Sequence, residues 1–92
     1  MAKEYRGKIR IIGDILHAVN TEPGIGITRL LFLSNLSHDR LTDYLAELKS
    51  KQLLEERDNE GKKAFHLTEK GHRFLAEVHR IKTFMADFGL DM

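Results

Sequence analysis

SHDRLTDYLAELKSKQ, residues 37–52, is the segment on which the architecture turns. Ser37 is a good helix N-cap, because its hydroxyl can accept from an otherwise unpaired first-turn N–H. Behind it Leu41, Leu45 and Leu48 recur at i, i+4 and i+7, a spacing that buries one stripe of a helix. At about 100° per residue the opposite face carries Asp39, Thr42, Asp43 and Ala46, with Arg40 and Glu47 flanking it. Such a helix either offers its polar face to a groove or is an ordinary amphipathic helix with a solvated face. The neighbouring segments decide which.

Towards the N-terminus, residues 3–20 place Ile9, Ile12, Leu16 and Val19 on one helical face, with Ile15 widening it. Gly7 and Gly13 each cost up to about 1 kcal/mol against alanine inside a helix, so close packing of another element near Gly13 is a natural expectation. Thr21-Glu22-Pro23-Gly24 ends this first helix, since proline cannot continue the hydrogen-bond ladder. Residues 27–34, ITRLLFLS, make a short second helix whose run Leu30-Leu31-Phe32-Leu33 points almost all the way round. A small three-helix core is expected to absorb that run. Asn35 tolerates the left-handed conformation of a tight turn, and Leu36 returns to the core before Ser37. Helix, four-residue turn and helix stand in sequence.

Towards the C-terminus, residues 53–57 and 62–67 flank Asp58-Asn59-Glu60-Gly61, two extended segments around a turn of Asx and glycine. Leu54, Phe65 and Leu67 fit the buried side of this hairpin. Thr68 then caps a long amphipathic helix that runs from Glu69 to about Phe88. Within it Phe74, Val78, Ile81, Met85 and Phe88 are spaced by four, three, four and three, the pattern of a heptad seam, with Leu75 and Phe84 on alternate sides. Such a stripe either folds back on the first helix of its own chain or pairs with its copy, and pairing is the expectation because a chain of this size has little surface with which to cover the outer turns.

Length and composition bound these readings. Ninety-two residues, 41% hydrophobic and 32% charged, suffice for one small core. The sequence contains no cysteine, which excludes disulfides, thiolate zinc sites and cysteine nucleophiles. No apolar run approaches the ~18 residues of a membrane span and no signal-peptide pattern opens the chain, so a cytoplasmic location is expected. Fifteen Lys and Arg against 14 Asp and Glu give a net charge of +1, so any affinity for nucleic acid must come from local clustering.

Three pieces together resemble the archaeal winged helix-turn-helix family of small dimeric transcription regulators, the ArnR-like winged helix group. They are Thr28-Arg29 with Asn35-Leu36-Ser37, then Leu41 through Tyr44-Leu45 to Leu53-Leu54-Glu55, then Leu67-Thr68-Glu69-Lys70-Gly71 leading to Phe74-Leu75. The resemblance spans nearly the whole chain. It implies a mainly α fold with a small β-hairpin: a three-helix core, the hairpin as a wing, and a long C-terminal amphipathic helix. It also implies a homodimer held by that last helix, and double-stranded DNA contacted by the third helix and the wing. Two departures stand out. Gln52 occupies a position where such proteins often have a helix-ending glycine, at a cost of roughly 1 kcal/mol if its φ is positive, so a locally different helix end is expected. Asp39 and Asp43 lie on the outward stripe of the third helix, where acids repel phosphates, although an acid can accept from a cytosine amino group.

The expected organisation is a winged body over 1–68 and a dimerisation helix over 69–92. Expected DNA contacts are Ser37, His38, Arg40 and Thr42 on the third helix, Arg29 on the second, and Lys62 and Lys63 in the wing, with Arg57 a weaker candidate. Arg40 suits a base contact, because a guanidinium fits guanine with two hydrogen bonds; the two lysines would only position the protein. The expected dimer interface is Phe74, Val78, Ile81, Met85 and Phe88. His17, His38, His66, His72 and His79 do not form a metal-ligand pattern, and neither a phosphate-cradling glycine motif nor a nucleophile elbow is present. No metal, cofactor or enzyme activity is expected. The rival to DNA binding is a protein-interaction module of the transcription apparatus, in which Asp39, Asp43 and Glu47 meet a basic protein.

Overall fold

The structure, a computed structural model, describes residues 7–90. Its elements are α1 (Lys8–Thr21), α2 (Ile27–Ser34), α3 (His38–Ser50), β1 (Leu54–Asn59), β2 (Lys62–Leu67) and α4 (Glu69–Asp87). The N-terminal residues 3–6 assigned to the first helix from sequence lie outside the described residues. Among the described residues no helix is long and apolar enough to cross a membrane.

The core is built where the three short helices, the root of the hairpin and the first half of α4 meet. Ile15, Leu16 and Val19 of α1, Leu30 of α2, and Leu41 and Leu48 of α3 are essentially inaccessible to solvent. At roughly 1.5–3 kcal/mol for each fully buried aliphatic side chain, this cluster dominates the folding energy. The stripe of α1 is rotated from the sequence reading: Ile11 and Ile12 face the core and Ile9 is 44% exposed. Of the Leu30–Leu33 run only Leu30 is deeply buried, while Leu31 packs at the margin and Phe32 and Leu33 point outward. The core therefore does not absorb the Leu30–Leu33 run. Consecutive residues on a helix cannot share one face, and this short helix touches the core along a single side.

Helix ends obey the local chemistry. Asn35 takes φ 56°, ψ 41° and closes α2, its N–H donating to the Leu31 carbonyl. The Ser37 hydroxyl accepts from the Arg40 N–H at 3.2 Å and starts α3. Gln52 takes φ 63° at the end of α3. Its N–H donates to the Lys49 carbonyl and the Leu53 N–H to that of Leu48, the paired bonds of a Schellman ending, with glutamine doing what glycine does more cheaply.

β1 and β2 pair antiparallel from Leu54↔Leu67 to Asn59↔Lys62, so the turn is Glu60-Gly61 alone, both residues with positive φ. The root of the ribbon has a third neighbour. Gly24 N–H donates to the Phe65 carbonyl and Phe65 N–H to the Ile25 carbonyl, both at 2.9 Å, tying the loop after α1 to the free edge of β2.

The junction into α4 is closely packed. The Thr68 hydroxyl accepts from the Gly71 N–H at 2.9 Å and donates to the Gln52 carbonyl at 2.6 Å. A Cβ on Gly71 would run into the backbone carbonyl of Leu53, so the helix passes the chain there at a distance only glycine permits. Further along, Val78 reaches within 3.1 Å of where a Gly13 Cβ would stand, which accounts for the glycine inside α1. Beyond Val78 the helix leaves the body: Ile81, Phe84 and Phe88 are 48%, 62% and 67% exposed.

Candidate nucleic-acid interface

α3 lies on the body with Leu41, Leu45 and Leu48 inward, so everything from Ser37 to Ala46 that faces away from that stripe is exposed. The exposed surface divides into two flanks around a central ridge. On one flank His38, Thr42, Ala46 and Lys49 line a groove of about 280 Å³ between the helix and the hairpin, opposite Glu56, Lys63 and Phe65, with Ile27 and Leu45 also in its wall. On the other flank lie Arg40 and Glu47, the latter bound to Lys8 of α1 at 3.0 Å. The ridge between them carries Asp39 and Asp43.

The expected site residues therefore separate into groups. Ser37 is engaged as the cap, and the Thr42 hydroxyl donates to the His38 carbonyl at 2.8 Å, so each has its backbone partner before any ligand arrives. Arg40 is exposed and has no acidic partner among the described residues. Arg29 sits on α2 with its guanidinium on the Glu22 carboxylate, Nη2 to Oε1 at 2.9 Å, and 5.8 Å from the centroid of the Phe32 ring. That hydrogen bond, joined by the nearby positive charge, holds the Glu22 carboxyl below its usual range and raises the arginine in turn. Contact with a phosphate would require Arg29 to leave or share this partner.

Lys62 and Lys63, adjacent in sequence, are not brought together. Side chains alternate along a strand, so Lys63, opposite Asp58, shares the groove-facing side with Glu56 and Phe65, while Lys62 lies on the other face at the hairpin tip. Arg57 is also on that other face and pairs with Glu55 at 3.1 Å.

The sequence reading left out Lys49 and Glu56. Lys49 falls on the same helical stripe as His38 and Thr42, a signal the periodicity already contained. Its Nζ stands 2.6 Å from Glu56 Oε1, and Lys63 Nζ is 3.7 Å from Glu56 Oε2, so one carboxylate on β1 joins α3 to β2. The hydrogen bond from Lys49, opposed by partial burial and reinforced by both ammonium charges, pulls the Glu56 carboxyl below the usual carboxylate range. Among the described residues no three His, Cys, Asp or Glu side chains stand together as metal ligands.

A family model described as winged helix-turn-helix matches residues 5–86. The chain is similar in structure to Sso10a-2, a DNA-binding protein from Sulfolobus solfataricus, with 26% identity, a TM-score of 0.79, and coverage of 90% of this chain and 85% of that one. It is also similar to the F-93 protein of SSV1, at 22% identity and TM-score 0.70 over 91% and 96% of the two chains. A third likeness is to the PcaV transcriptional regulator from Streptomyces coelicolor, at 18% identity and TM-score 0.73, over 84% of this chain and 62% of that one. The last two likenesses concern the fold. No curated protein matches the sequence at a significant level.

Proposed function

The chain belongs to the winged helix-turn-helix family, and from that premise we propose that it binds double-stranded DNA as a homodimer, acting as a transcription regulator or small chromatin-associated protein. The observation that carries the reading is the open outer face of α3, uncovered from Ser37 to Thr42 by any other part of the described chain. That the Sulfolobus protein of the same fold is a DNA-binding protein supports it. In this reading α3 enters the major groove with His38, Arg40 and Thr42 towards base edges, Arg40 suiting guanine, while Ser37, Arg29, Lys62 and Lys63 approach phosphates. Residues 1–68 form the DNA-reading body, and residues 69–92 form the dimer.

Support for the dimer is the outer half of α4. Ile81, Phe84, Phe88 and Leu90 stay about half or more exposed, and the Phe84 and Phe88 rings lie 5.0 Å apart on bare surface. Of the five residues expected at the interface, Val78 is covered by α1 of its own chain and Phe74 packs at the margin of the core. Pairing with a second copy would therefore run along Ile81, Met85 and Phe88, removing that apolar stripe from water and presenting two recognition helices to one duplex.

Fluorescence anisotropy against random-sequence duplex at two salt concentrations tests the DNA reading. Binding should weaken steeply with salt, and the absence of any titration at low salt would overturn it. Changing both Lys62 and Lys63 to glutamate should abolish the signal. Ile81→Glu should yield a monomer in sedimentation; an undisturbed dimer would reject the α4 surface. A second reading, a module for binding a basic protein partner, is favoured by Asp39 and Asp43 standing exposed on the ridge of α3, neither paired with a lysine or arginine among the described residues.

A further inference from the structure

We infer that the groove between α3 and the hairpin seats a single sugar–phosphate strand, gripped by Lys49 and Lys63, and that the Glu56 carboxylate between them weakens this grip. The inference rests on the DNA reading above and adds to it two residues, Lys49 as a phosphate contact and Glu56 as the acid that limits it.

The geometry of a duplex leads to the groove. A helix lying in the major groove and a ribbon reaching the adjacent minor groove are separated by one backbone, because a single strand forms the wall between neighbouring grooves. Whatever crosses from α3 to the hairpin must therefore pass over the gap between them. That gap holds His38, Thr42 and Lys49 from the helix and Lys63 from β2, over an apolar wall of Leu45 and Phe65. Two ammonium groups on opposite sides of a narrow channel suit a line of phosphates better than a base edge.

Glu56 makes the arrangement unlike a plain basic patch. Its carboxylate touches Lys49 at 2.6 Å and lies within ion-pair reach of Lys63 at 3.7 Å, so the three groups together carry a single positive charge. Lys49 and Lys63 remain 39% and 72% exposed while Glu56 is 24% exposed, which leaves the cations more open to a ligand than the anion. An ammonium has three donors, so Lys49 can keep Glu56 and still bind a phosphate oxygen. The carboxylate remains a negative charge close to the phosphates and subtracts from their attraction. Phosphate contacts carry no sequence information. An acid that limits them lowers the non-specific hold on DNA and leaves more of the total affinity to the exposed face of α3.

The experiment is a salt series of anisotropy titrations with the intact protein and random-sequence duplex, comparing wild type with Lys49→Ala, Lys63→Ala, Glu56→Gln and the double variant Lys49→Ala/Glu56→Gln. Lys49→Ala and Lys63→Ala should each lower the slope of log affinity against log salt by about 0.9. Glu56→Gln should bind about 5-fold more tightly at low salt, with a steeper slope. The double variant should fall below Glu56→Gln by the same ~0.9 in slope, which separates loss of a phosphate contact from release of the acid. Circular dichroism melting confirms that each variant is folded. A wild type that binds DNA while Lys49→Ala keeps its full slope would mean the strand does not cross this groove. A Glu56→Gln protein that binds no more tightly would mean the acid does not oppose phosphate. If wild type itself fails to bind, the DNA reading is lost and this inference with it.

Discussion

α3 and α4 both begin behind a hydroxyl that accepts from the N–H three residues on, Ser37 to Arg40 and Thr68 to Gly71, yet the surroundings of the two starts are opposite. Thr68 also donates to the Gln52 carbonyl, and the turn it opens is pressed against the Leu53 backbone with no room for a side chain at Gly71. Ser37 has the cap bond alone, and the first turn of α3 beyond it stands in solvent apart from the buried Leu41. One device thus serves two purposes. At α4 the cap is one part of a joint between hairpin and helix. At α3 it starts a helix cleanly and leaves the surrounding surface uncovered.

The contrast is most exposed to test at the α4 joint. Gly71→Ala should destabilise the fold by about 3 kcal/mol or more, because the new methyl meets backbone rather than a yielding side chain. A drop in melting temperature of at least about 12 °C is expected for a domain of this size, and a drop of only a degree or two would show the joint to be loose. Thr68→Val removes both the cap and the bond to Gln52 and should cost about 2 kcal/mol in urea denaturation. Ser37→Ala should cost about 1 kcal/mol. If it costs as much as Thr68→Val, the two starts are equally structural and the contrast disappears.

The smallest expected effect concerns acid. The folded Glu56 carboxyl is held below its unfolded value, so its ion pairs stabilise the protein fully above the ordinary carboxylate range, and that share is lost as pH falls through the lowered value. An ion pair this accessible contributes no more than about 1 kcal/mol. The gap in melting temperature between wild type and Glu56→Gln should therefore be a few degrees near neutrality and close as the carboxylate protonates. A gap that persists at pH 2 would assign the stabilisation to packing instead.

Features written in local periodicity were legible in the chain itself. The Ser37 cap, the Leu41, Leu45 and Leu48 stripe, the left-handed Asn35 and the hairpin all depend on residues within a few positions of one another, whereas Gln52 pointed to a different helix end and the chain keeps the left-handed one there. The C-terminal helix was legible for the same reason, down to Phe88 as its end. The features that escaped depend on how elements lie against each other. Ile9, Phe32 and Leu33 are as apolar as their buried neighbours, and only the orientation of α1 and α2 on the core turns them outward. The Ile25–Phe65 bridge joins segments forty residues apart with no local signature. Of the candidate site, α3 was legible as a surface, but Lys49 and Glu56 meet across two elements; the separation of Lys62 from Lys63 is already implicit in reading 62–67 as extended, because side chains alternate along a strand. The sequence reading also made the turn four residues long, where strand pairing continues to Asn59 and Lys62.

The bridge at Phe65 has a mechanical consequence. There β2 is bonded along both edges, to β1 on one side and to the Gly24–Ile25 loop on the other, whereas at Lys62 and Lys63 it leans on β1 alone. The ribbon is thus a lever with its fulcrum at Phe65. Amide exchange is therefore expected to be faster from Asn59 to Lys63, where the arm beyond that pivot has one bonded edge, than at Phe65, where it has two.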